Sequence, residues 1–204
     1  MTHRGLRERK KRQTRLALLD AALDLFLAQG YGNTTVDQIA AAVDVSPRTF
    51  FRYFASKEDV LLHPMEEGGH VLTTALAARP ADEPPFVAIA HAYRAMLRYL
   101  ERETPNENDR FLRTHRVLNG DPALMAVTFT RVTALEDRCA AVLAQRMGVT
   151  PDDRRPRLVV ALMGAAARVG FMCPHNASTD TGAIIERAEK TIALAEQVLR
   201  PDWD

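Results

Sequence analysis

Three signals for the start of a helix lie close together near the beginning of the 204-residue chain. Thr35 followed three residues later by Gln38 has the form of a capping box, in which each side chain bonds to the other residue's backbone. Ser46 suits the N-cap of the next helix and Pro47 its first position, and Ser56 begins another capping pattern. Short helices with such short connections are typical of a helix-turn-helix.

The segments around these helices have suitable residues as well. Asp44 lies just before Ser46 and can adopt the left-handed backbone conformation that a tight turn needs. Upstream, an apolar stripe at helical spacing predicts an amphipathic helix, and Gly30 is a suitable C-terminal stop for it. The stripe consists of Leu19, Ala22, Leu23 and Phe26.

Helical patterns continue along the rest of the chain, with breaks at proline- and glycine-containing segments. No stretch alternates apolar and polar residues as a half-buried strand would. We expect an all-α protein of about nine helices, a helix-turn-helix domain followed by a helical domain. The later helices are predicted at 85–103, 106–118, 122–147, 157–173 and 181–199.

Charge is unevenly distributed along the chain, although the net charge is only +1. Residues 1–57 contain ten Lys and Arg against five Asp and Glu, whereas residues 58–204 contain seventeen against twenty-one. This asymmetry indicates a polyanionic partner for the basic segment alone. We predict two domains, residues 1–57 as a helix-turn-helix domain with a basic N-terminal arm and residues 58–204 as a helical body.

The basic start followed by apolar residues superficially resembles a secretion signal. Asp20 and Asp24 interrupt the apolar part and share one helical face, which fits an amphipathic helix better. The longest other apolar run, residues 158–167, is about half of a membrane span. Cys139 and Cys173 form no CxxC pattern, which suits a reducing compartment. We expect a cytoplasmic protein without a membrane partner.

The third helix combines aromatic rings with cations, in a chain that is only 6% aromatic. Phe50 and Phe54 lie four residues apart and can point inward as ordinary core residues. The more exposed side then carries Arg48, Thr49, Phe51, Arg52 and Tyr53. Arginine can bind guanine in the major groove, and apolar groups can contact thymine methyls. The alternative, a solvated cationic face over plain core, explains neither the paired short helices nor the basic arm.

The run ALDLFLAQGYGNTTVDQIAAAVDVSPRTFFRYFASKEDVL resembles the DNA-binding domain of the tetracycline-repressor (TetR) family of bacterial regulators. The resemblance implies DNA contacts at positions on and around the second and third helices. These are Thr35, Ser46, Pro47, Arg48, Thr49, Phe51, Tyr53 and Lys57. Two positions depart from the family pattern: the turn has Asp44 where Gly is frequent, and position 51 lacks the frequent Tyr hydroxyl. Tyr53 is a candidate to replace that hydroxyl.

Specific binding to DNA usually needs two such heads, one helical turn apart. The last two predicted helices carry small residues and an apolar stripe wider than one neighbour requires, although an intramolecular core would look similar. The resemblance implies a two-fold, four-helix dimer interface there. The residues predicted for it are Gly164, Ala167, Gly170, Ile185, Ile192 and Leu199.

The helices between the head and the last pair correspond to the effector-binding region of the family. Bulky apolar residues can line a cavity there, although plain core packing gives the same pattern more often. The candidate lining residues are Phe86, Tyr93, Met96, Leu97, Phe111, Met125 and Phe129. Two arginine stripes, in residues 94–102 and 110–116, are usually solvated faces, but beside a cavity they can hold the phosphates of an acyl-CoA-like effector.

Other functions have weaker support in the sequence. The segment HPMEEGGH places His63, Glu66, Glu67 and His70 on one helical face at metal-ligand spacing. Pro64 and the glycines weaken such a helix, and exposed faces of this kind are common, so no metal or other cofactor is predicted. The chain contains no GxSxG, HExxH, Walker or dinucleotide-binding motif, so an enzyme is not expected.

The hypothesis most consistent with these features is a ligand-responsive bacterial transcription regulator, a repressor as in most of the family, that binds a palindromic operator as a homodimer. A small lipophilic effector, with acyl-CoA as one candidate, would release it by favouring a spacing of the heads that mismatches the operator. Gly68-Gly69 is a candidate flexible point in the helix between pocket and head. The alternatives are an architectural DNA-binding protein without an effector and a metal-responsive regulator.

Overall fold

The structure, a computed structural model, describes residues 3–101, 104–171 and 180–198. These residues form nine α-helices and no β-strand, which confirms the predicted fold class. None of the described helices is long and apolar enough to cross a membrane. The helices are α1 (His3–Gln29), α2 (Val36–Ala41), α3 (Pro47–Phe51), α4 (Lys57–Ala77), α5 (Pro85–Glu101), α6 (Pro105–Gly120), α7 (Pro122–Met147), α8 (Arg154–Phe171) and α9 (Thr181–Val198).

The predicted start signals of the short helices are confirmed. Thr35 Oγ1 accepts a hydrogen bond from Gln38 N at 3.2 Å, and Gln38 Oε1 accepts one from Thr35 N at 2.9 Å, which completes the capping box of α2. Ser46 caps α3, whose first residue is Pro47. Asp44 has a φ of 53°, the left-handed conformation predicted for the turn. Local hydrogen bonds therefore fix the path from α2 into α3.

The chain divides into two compact units, and these units do not follow chain order. The first contains Met1–Pro64 and Asp109–Thr128, and the second contains Met65–Asn108 and Phe129–Asp204. Most of α6 and the beginning of α7 thus belong with the N-terminal helices. A functional division at residues 57 and 58 stays a prediction, because a compact unit need not be a functional domain.

The core of the first unit is built around the predicted apolar stripe of α1, all of which is buried. Helices as short as α2 and α3 are marginal on their own, so their stability depends on packing against this core. Each large side chain buried there contributes about 1.5–3 kcal/mol. The stripe packs with Ile39, Phe50, Phe54, Leu61, Val117 and Leu124.

Two arginines of α6 bind carboxylates of α1. Arg110 donates to both carboxylate oxygens of Asp20, at 2.7 and 2.8 Å. Arg113 donates to the backbone oxygen of Asp20 at 3.1 Å and forms an ion pair with Asp24. Two-pronged arginine–carboxylate pairs are among the stronger hydrogen-bonded contacts in proteins. The acidic residues that interrupt the apolar part of α1 therefore hold α6 against it.

In the second unit, α8 and α9 pack against each other and α5 packs against both. A Cβ atom at Gly170 would lie 2.4 Å from the Cα of Ala188, so α8 and α9 meet backbone to backbone and only glycine fits at the crossing. Arg94 of α5 donates to Glu189 at 2.7 Å and to Glu196 at 3.1 Å, both on α9. This arginine is therefore committed to holding α5 against α9.

Helix α4 is continuous, although Pro64 and Gly68-Gly69 lie inside it. A Cβ atom at Gly69 would lie 3.1 Å from Leu135 of α7, and one at Gly68 would lie 3.6 Å from Met96 of α5. Close packing is therefore one physical reason for a glycine at position 69. The role of the pair as a flexible point stays a prediction.

Lys57 joins the end of α1 to the start of α4. Its ammonium group donates to the backbone oxygens of Tyr31 and Thr34, at 2.9 and 3.0 Å, and lies 4.1 Å from the centroid of the Tyr31 ring. The Tyr31 hydroxyl donates to the carboxylate of Glu58. Burial and this neighbouring carboxylate raise the pKa of Tyr31. Lys57 and Glu58 thus fasten the corner after α1 to α4.

Replacing Lys57 by Met should destabilise the first unit, because the carbonyls of Tyr31 and Thr34 lose their donor. Leaving a partly buried acceptor without a partner typically costs about 1–3 kcal/mol. We expect a loss of this size in the free energy of unfolding, measured with urea. The matched control is Lys10→Met at an exposed position of α1, with an expected change within about 0.5 kcal/mol. Equal stabilities for the two variants would show that Lys57 is not a structural bridge.

Candidate nucleic-acid interface

Helix α3, the shortest of the described helices, is anchored by the two rings that the sequence predicted to point inward. Phe50 is fully buried and Phe54 nearly so, with their ring centroids 5.8 Å apart. Phe50 lies on α3 and Phe54 follows three residues after its end, with Phe54 N donating to Phe50 O at 3.1 Å, so both rings enter the core from the same side. Arg48 is exposed, and Phe51 is 55% exposed. The predicted separation of core and exposed rings is confirmed.

Phe51 is held in a defined position although it is exposed. Its ring meets that of Phe50 edge to face, with the centroids 5.5 Å apart and the planes at 86°. A large apolar side chain that projects beside a cation can contact thymine methyl groups while the cation binds guanine. The exposed side of α3 therefore has the chemistry to distinguish base pairs.

The hydroxyl groups at the helix starts have capping roles. Ser46 Oγ accepts from Thr49 N at 3.2 Å and lies 3.0 Å from Thr49 Oγ1. Ser46 and Pro47 are exposed, as is Thr35 at the start of α2, whereas Thr49 is half-buried. The Thr35 oxygen accepts a hydrogen bond in its cap and keeps its own proton available for a phosphate oxygen. Contact of these residues with DNA stays a prediction.

Just after α3, Arg52 and Tyr53 form a second polar group. Arg52 Nη2 donates to Tyr53 Oη at 3.5 Å, and the guanidinium carbon lies 5.2 Å from the centroid of the Tyr53 ring. Arg52 is exposed and Tyr53 is half-buried. The Tyr53 hydroxyl is thus presented beside a cation, as a phosphate contact would require.

Lys57 differs from the other predicted DNA contacts. Two of the three donors of its ammonium group are used by the carbonyls of Tyr31 and Thr34. Lys57 therefore bridges the start of α4 and the segment after α1. A contact with phosphate would use the one remaining donor. No local pattern could have revealed this role, because the carbonyls lie 26 and 23 residues away along the chain.

The basic N-terminal arm is helical, since α1 begins at His3. The side chains of residues 5–13 are exposed. The sequence indicated a basic arm but not that its cations are arranged at helical spacing on the first turns of α1. This geometry was missed because the apolar periodicity that identifies α1 begins only later in the chain.

The residues predicted to line an effector pocket are in different environments. Phe86, Tyr93 and Leu97 are buried in α5, and Met96 is half-buried. The other three are Phe111, half-buried in the first unit, Met125, exposed in the first unit, and Phe129, exposed in the second. A pocket of about 310 Å³ in the second unit is lined by residues 81–85 together with Leu143, Arg146 and Met147, and by none of the predicted set. The predicted pocket stays a prediction.

The residues predicted for the dimer interface are covered by the chain's own helices. Gly164, Ala167 and Gly170 are buried in α8, as are Ile185 and Ile192 in α9, whereas Leu199 lies outside the described residues. Gly170 is buried by α9, and a Cβ atom at Gly164 would lie 2.3 Å from the Glu136 carboxylate. Packing within one chain accounts for the burial of Gly164 and Gly170, and the dimer interface at the predicted residues stays a prediction.

The four candidate metal ligands of α4 do not form a site. Among the described residues, no three His, Cys, Asp or Glu side chains come together as metal ligands would. His63 packs its ring against Phe54, 5.8 Å between centroids, and Glu66 forms an ion pair with Arg131 at 3.1 Å. Ring packing thus accounts for His63, and surface pairing accounts for Glu66.

Comparison with known proteins identifies the family. The family model described as "Bacterial regulatory proteins, tetR family" matches residues 18–63, and the one described as "MftR C-terminal domain" matches residues 83–195. The chain is 42% identical over 203 residues to the HTH-type transcriptional regulator TcmR of Streptomyces glaucescens, covering 98% of this chain and 90% of that protein. It is 31% identical over 140 residues to the HTH-type transcriptional regulator RutR of Escherichia coli K12, covering 69% and 65%.

Solved structures show the same fold. SmeT, the repressor of the Stenotrophomonas maltophilia multidrug efflux pump SmeDEF, has a TM-score of 0.55 at 17% identity, covering 93% of this chain and 91% of that chain. Salmonella enterica GusR has a TM-score of 0.52 at 18% identity, covering 93% and 96%. TcmR and RutR, the two relatives found by sequence, are transcriptional regulators and not enzymes. The chain, with its capped α2–α3 pair and helical body, belongs to the TetR family of bacterial transcriptional regulators.

Proposed function

We propose that this regulator represses transcription by binding a palindromic operator as a homodimer and that a small lipophilic effector releases it. The observation that carries the proposal is the presentation of Arg48 and Phe51 on the outer side of α3, while Phe50 fixes that helix from inside. An exposed cation and an exposed ring on a rigid short helix can read base edges in a major groove. Repression follows when the bound dimer covers a promoter.

Two heads are needed for tight binding, and α8 offers a surface for pairing. Four apolar side chains are exposed along one face of this helix, at the spacing i, i+3, i+7 and i+11. Val169 is 65% exposed, and on α9 Val198 is 72% exposed. The α8 face consists of Leu158, Ala161, Ala165 and Val169. A second copy of the chain, related by a two-fold axis, would bury this face against its own equivalent.

The second unit supplies the chemistry for a lipophilic effector. Phe86, Tyr93 and Leu97 place bulky apolar groups on the buried side of α5. Burial raises the pKa of Tyr93 above its ordinary value, as expected for a phenol in apolar surroundings. A phosphate-binding role for Arg94 is less well supported, because its guanidinium pairs with Glu189 and Glu196. A long-chain acyl compound is the class of effector that these groups favour.

Selection from a randomised duplex library should enrich a palindrome, and Arg48→Ala should relax base preference at one symmetric pair of positions. Loss of a bidentate arginine contact typically removes about 1–3 kcal/mol of discrimination. The measurement is the affinity for the selected duplex and for each single-base variant of it. Arg116→Ala, an exposed arginine of α6, is the control and should keep the full preference. Failure of the wild-type protein to enrich any sequence would refute operator binding.

Val169→Glu should convert the dimer into a monomer at micromolar concentration, because a carboxylate would be buried in the proposed pairing face. Sedimentation velocity measures the mass in solution. Leu27→Glu introduces the same charge at an exposed leucine of α1 and should leave the dimer intact. If both variants remain dimeric, the interface lies on another surface.

Palmitoyl-CoA should weaken binding to the selected duplex, whereas free coenzyme A should not, because the acyl chain provides the apolar contacts. Allosteric coupling in proteins is typically about 5- to 150-fold in affinity. The measurement is a fluorescence anisotropy titration of labelled duplex with each compound present, and palmitate tests the acyl chain alone. If none of the three changes the affinity, the effector class is wrong while operator binding is unaffected.

A further inference from the structure

The connection between α4 and α5 and the end of α7 line a pocket of about 310 Å³ within the second unit. Leu143 in its wall is fully buried, and Pro85 and Met147 are half-buried, so one side of the pocket is apolar. Ligand pockets in proteins typically have volumes of about 300–1,000 Å³, so this one suits a compact ligand better than a long acyl chain. The other lining residues are Ala81, Asp82, Glu83, Pro84 and Arg146.

The shape of the pocket is fixed by contacts within the chain. Arg146 of α7 donates to the backbone oxygen of Arg79 and, at 2.6 Å, to that of Pro80, and so holds the connection against α7. Glu83 N donates to Pro80 O at 3.2 Å, which closes a turn. Three of the residues 79–85 are prolines, whose rings fix φ. A pocket that is formed before its ligand arrives loses less conformational freedom on binding.

The two acidic residues of the pocket differ in their contacts. Arg79 Nε donates to Glu83 Oε2 at 2.7 Å, and His91 Nδ1 lies 2.9 Å from Glu83 Oε1. These hydrogen bonds, the one from Arg79 above all, lower the pKa of Glu83 to about 2. Asp82 is exposed and forms no ion pair with any side chain that the structure describes. The carboxylate of Asp82 is therefore available to a cationic group of a ligand.

Arg146 brings a positive charge to the same pocket. Its two terminal nitrogens donate to neutral carbonyl oxygens, and within residues 3–101, 104–171 and 180–198 no carboxylate pairs with its guanidinium group. Its Nε is buried and has no hydrogen-bond partner in this part of the chain, which is rare for a buried donor. An anion bound beside the guanidinium group would balance its charge, and partly buried charge pairs are stronger than exposed ones. The pocket thus combines a cation and an anion that are not neutralised with an apolar wall.

We propose that this pocket binds a small zwitterion, an α-amino acid with an apolar side chain. The ligand's carboxylate pairs with Arg146, its ammonium group pairs with Asp82, and its side chain packs against Leu143 and Met147. Near neutral pH a free amino acid carries both charges, so one compact molecule satisfies both groups of the pocket. This binding goes beyond the proposed function, because it requires neither DNA nor an acyl compound.

The first test compares ligands of nearly equal size by isothermal titration calorimetry of the full chain at neutral pH. L-Phenylalanine carries both charges, phenethylamine lacks the carboxylate, and 3-phenylpropanoate lacks the ammonium group. L-Phenylalanine should bind with a Kd at or below about 1 mM, and L-leucine tests a smaller side chain. Each analogue should bind at least about tenfold more weakly, because it leaves one charged group of the pocket without a partner. Phenethylamine replaces a substitution at Arg146, because loss of that arginine would alter the connection itself.

The second test changes the protein. Asp82→Asn keeps the size of the side chain and should weaken binding of L-phenylalanine about tenfold, while 3-phenylpropanoate, which has no ammonium group, should bind this variant as it binds the wild type. Glu101→Gln removes an exposed carboxylate from the other end of α5 and should leave both affinities unchanged. The proposal is overturned if neither amino acid binds, if the three phenyl compounds bind equally well, or if Asp82→Asn and Glu101→Gln have the same affinity for L-phenylalanine. Because no titration contains DNA, none of these results bears on operator binding.

Discussion

Burial of Phe50 and Phe54 against the apolar stripe of α1 is the interaction on which the proposed DNA-reading surface depends. With only five residues, α3 has too few internal hydrogen bonds to be stable by itself, so its position is set by these two rings. The outward direction of Arg48 and Phe51 follows from that anchoring, since both lie within about one helical turn of Phe50. The residues proposed to read bases and the residues that pack in the core thus lie on opposite sides of one short segment.

The local features of this region could be predicted because they depend on residues close together in sequence. The capping box of Thr35 and Gln38, the N-cap at Ser46 and the left-handed Asp44 each involve groups within three residues of one another. Periodicity likewise predicted the helices and the inward direction of Phe50, since a single apolar stripe decides which face is buried. The fold class follows from the sum of such local signals.

Features that depend on distant residues could not be predicted. A lysine at position 57 looks the same in sequence whether it contacts phosphate or, as here, the carbonyls of Tyr31 and Thr34. The arginine at position 110 had the spacing of a solvated stripe and is engaged by Asp20 of α1, 90 residues earlier. An apolar residue has the same sequence pattern whether it is buried by another helix of its own chain or by a partner chain. The position of Ile192 in the sequence therefore could not indicate which kind of burial applies.

The number of cations in the first unit is therefore a poor measure of any affinity for DNA unless the contacts that each cation makes within the protein are known. Lys57 is bound to carbonyls and Arg110 to a carboxylate, and releasing either for phosphate would break a contact that holds the fold. In contrast, Lys11, Arg48 and Arg52 form no ion pair with any carboxylate in the described part of the chain. A polyanion gains most from cations whose charge is not already neutralised, because counterion release requires exposed charge. The proposed recognition of DNA by α3 would therefore draw on cations, such as Arg48, whose charge no described carboxylate neutralises.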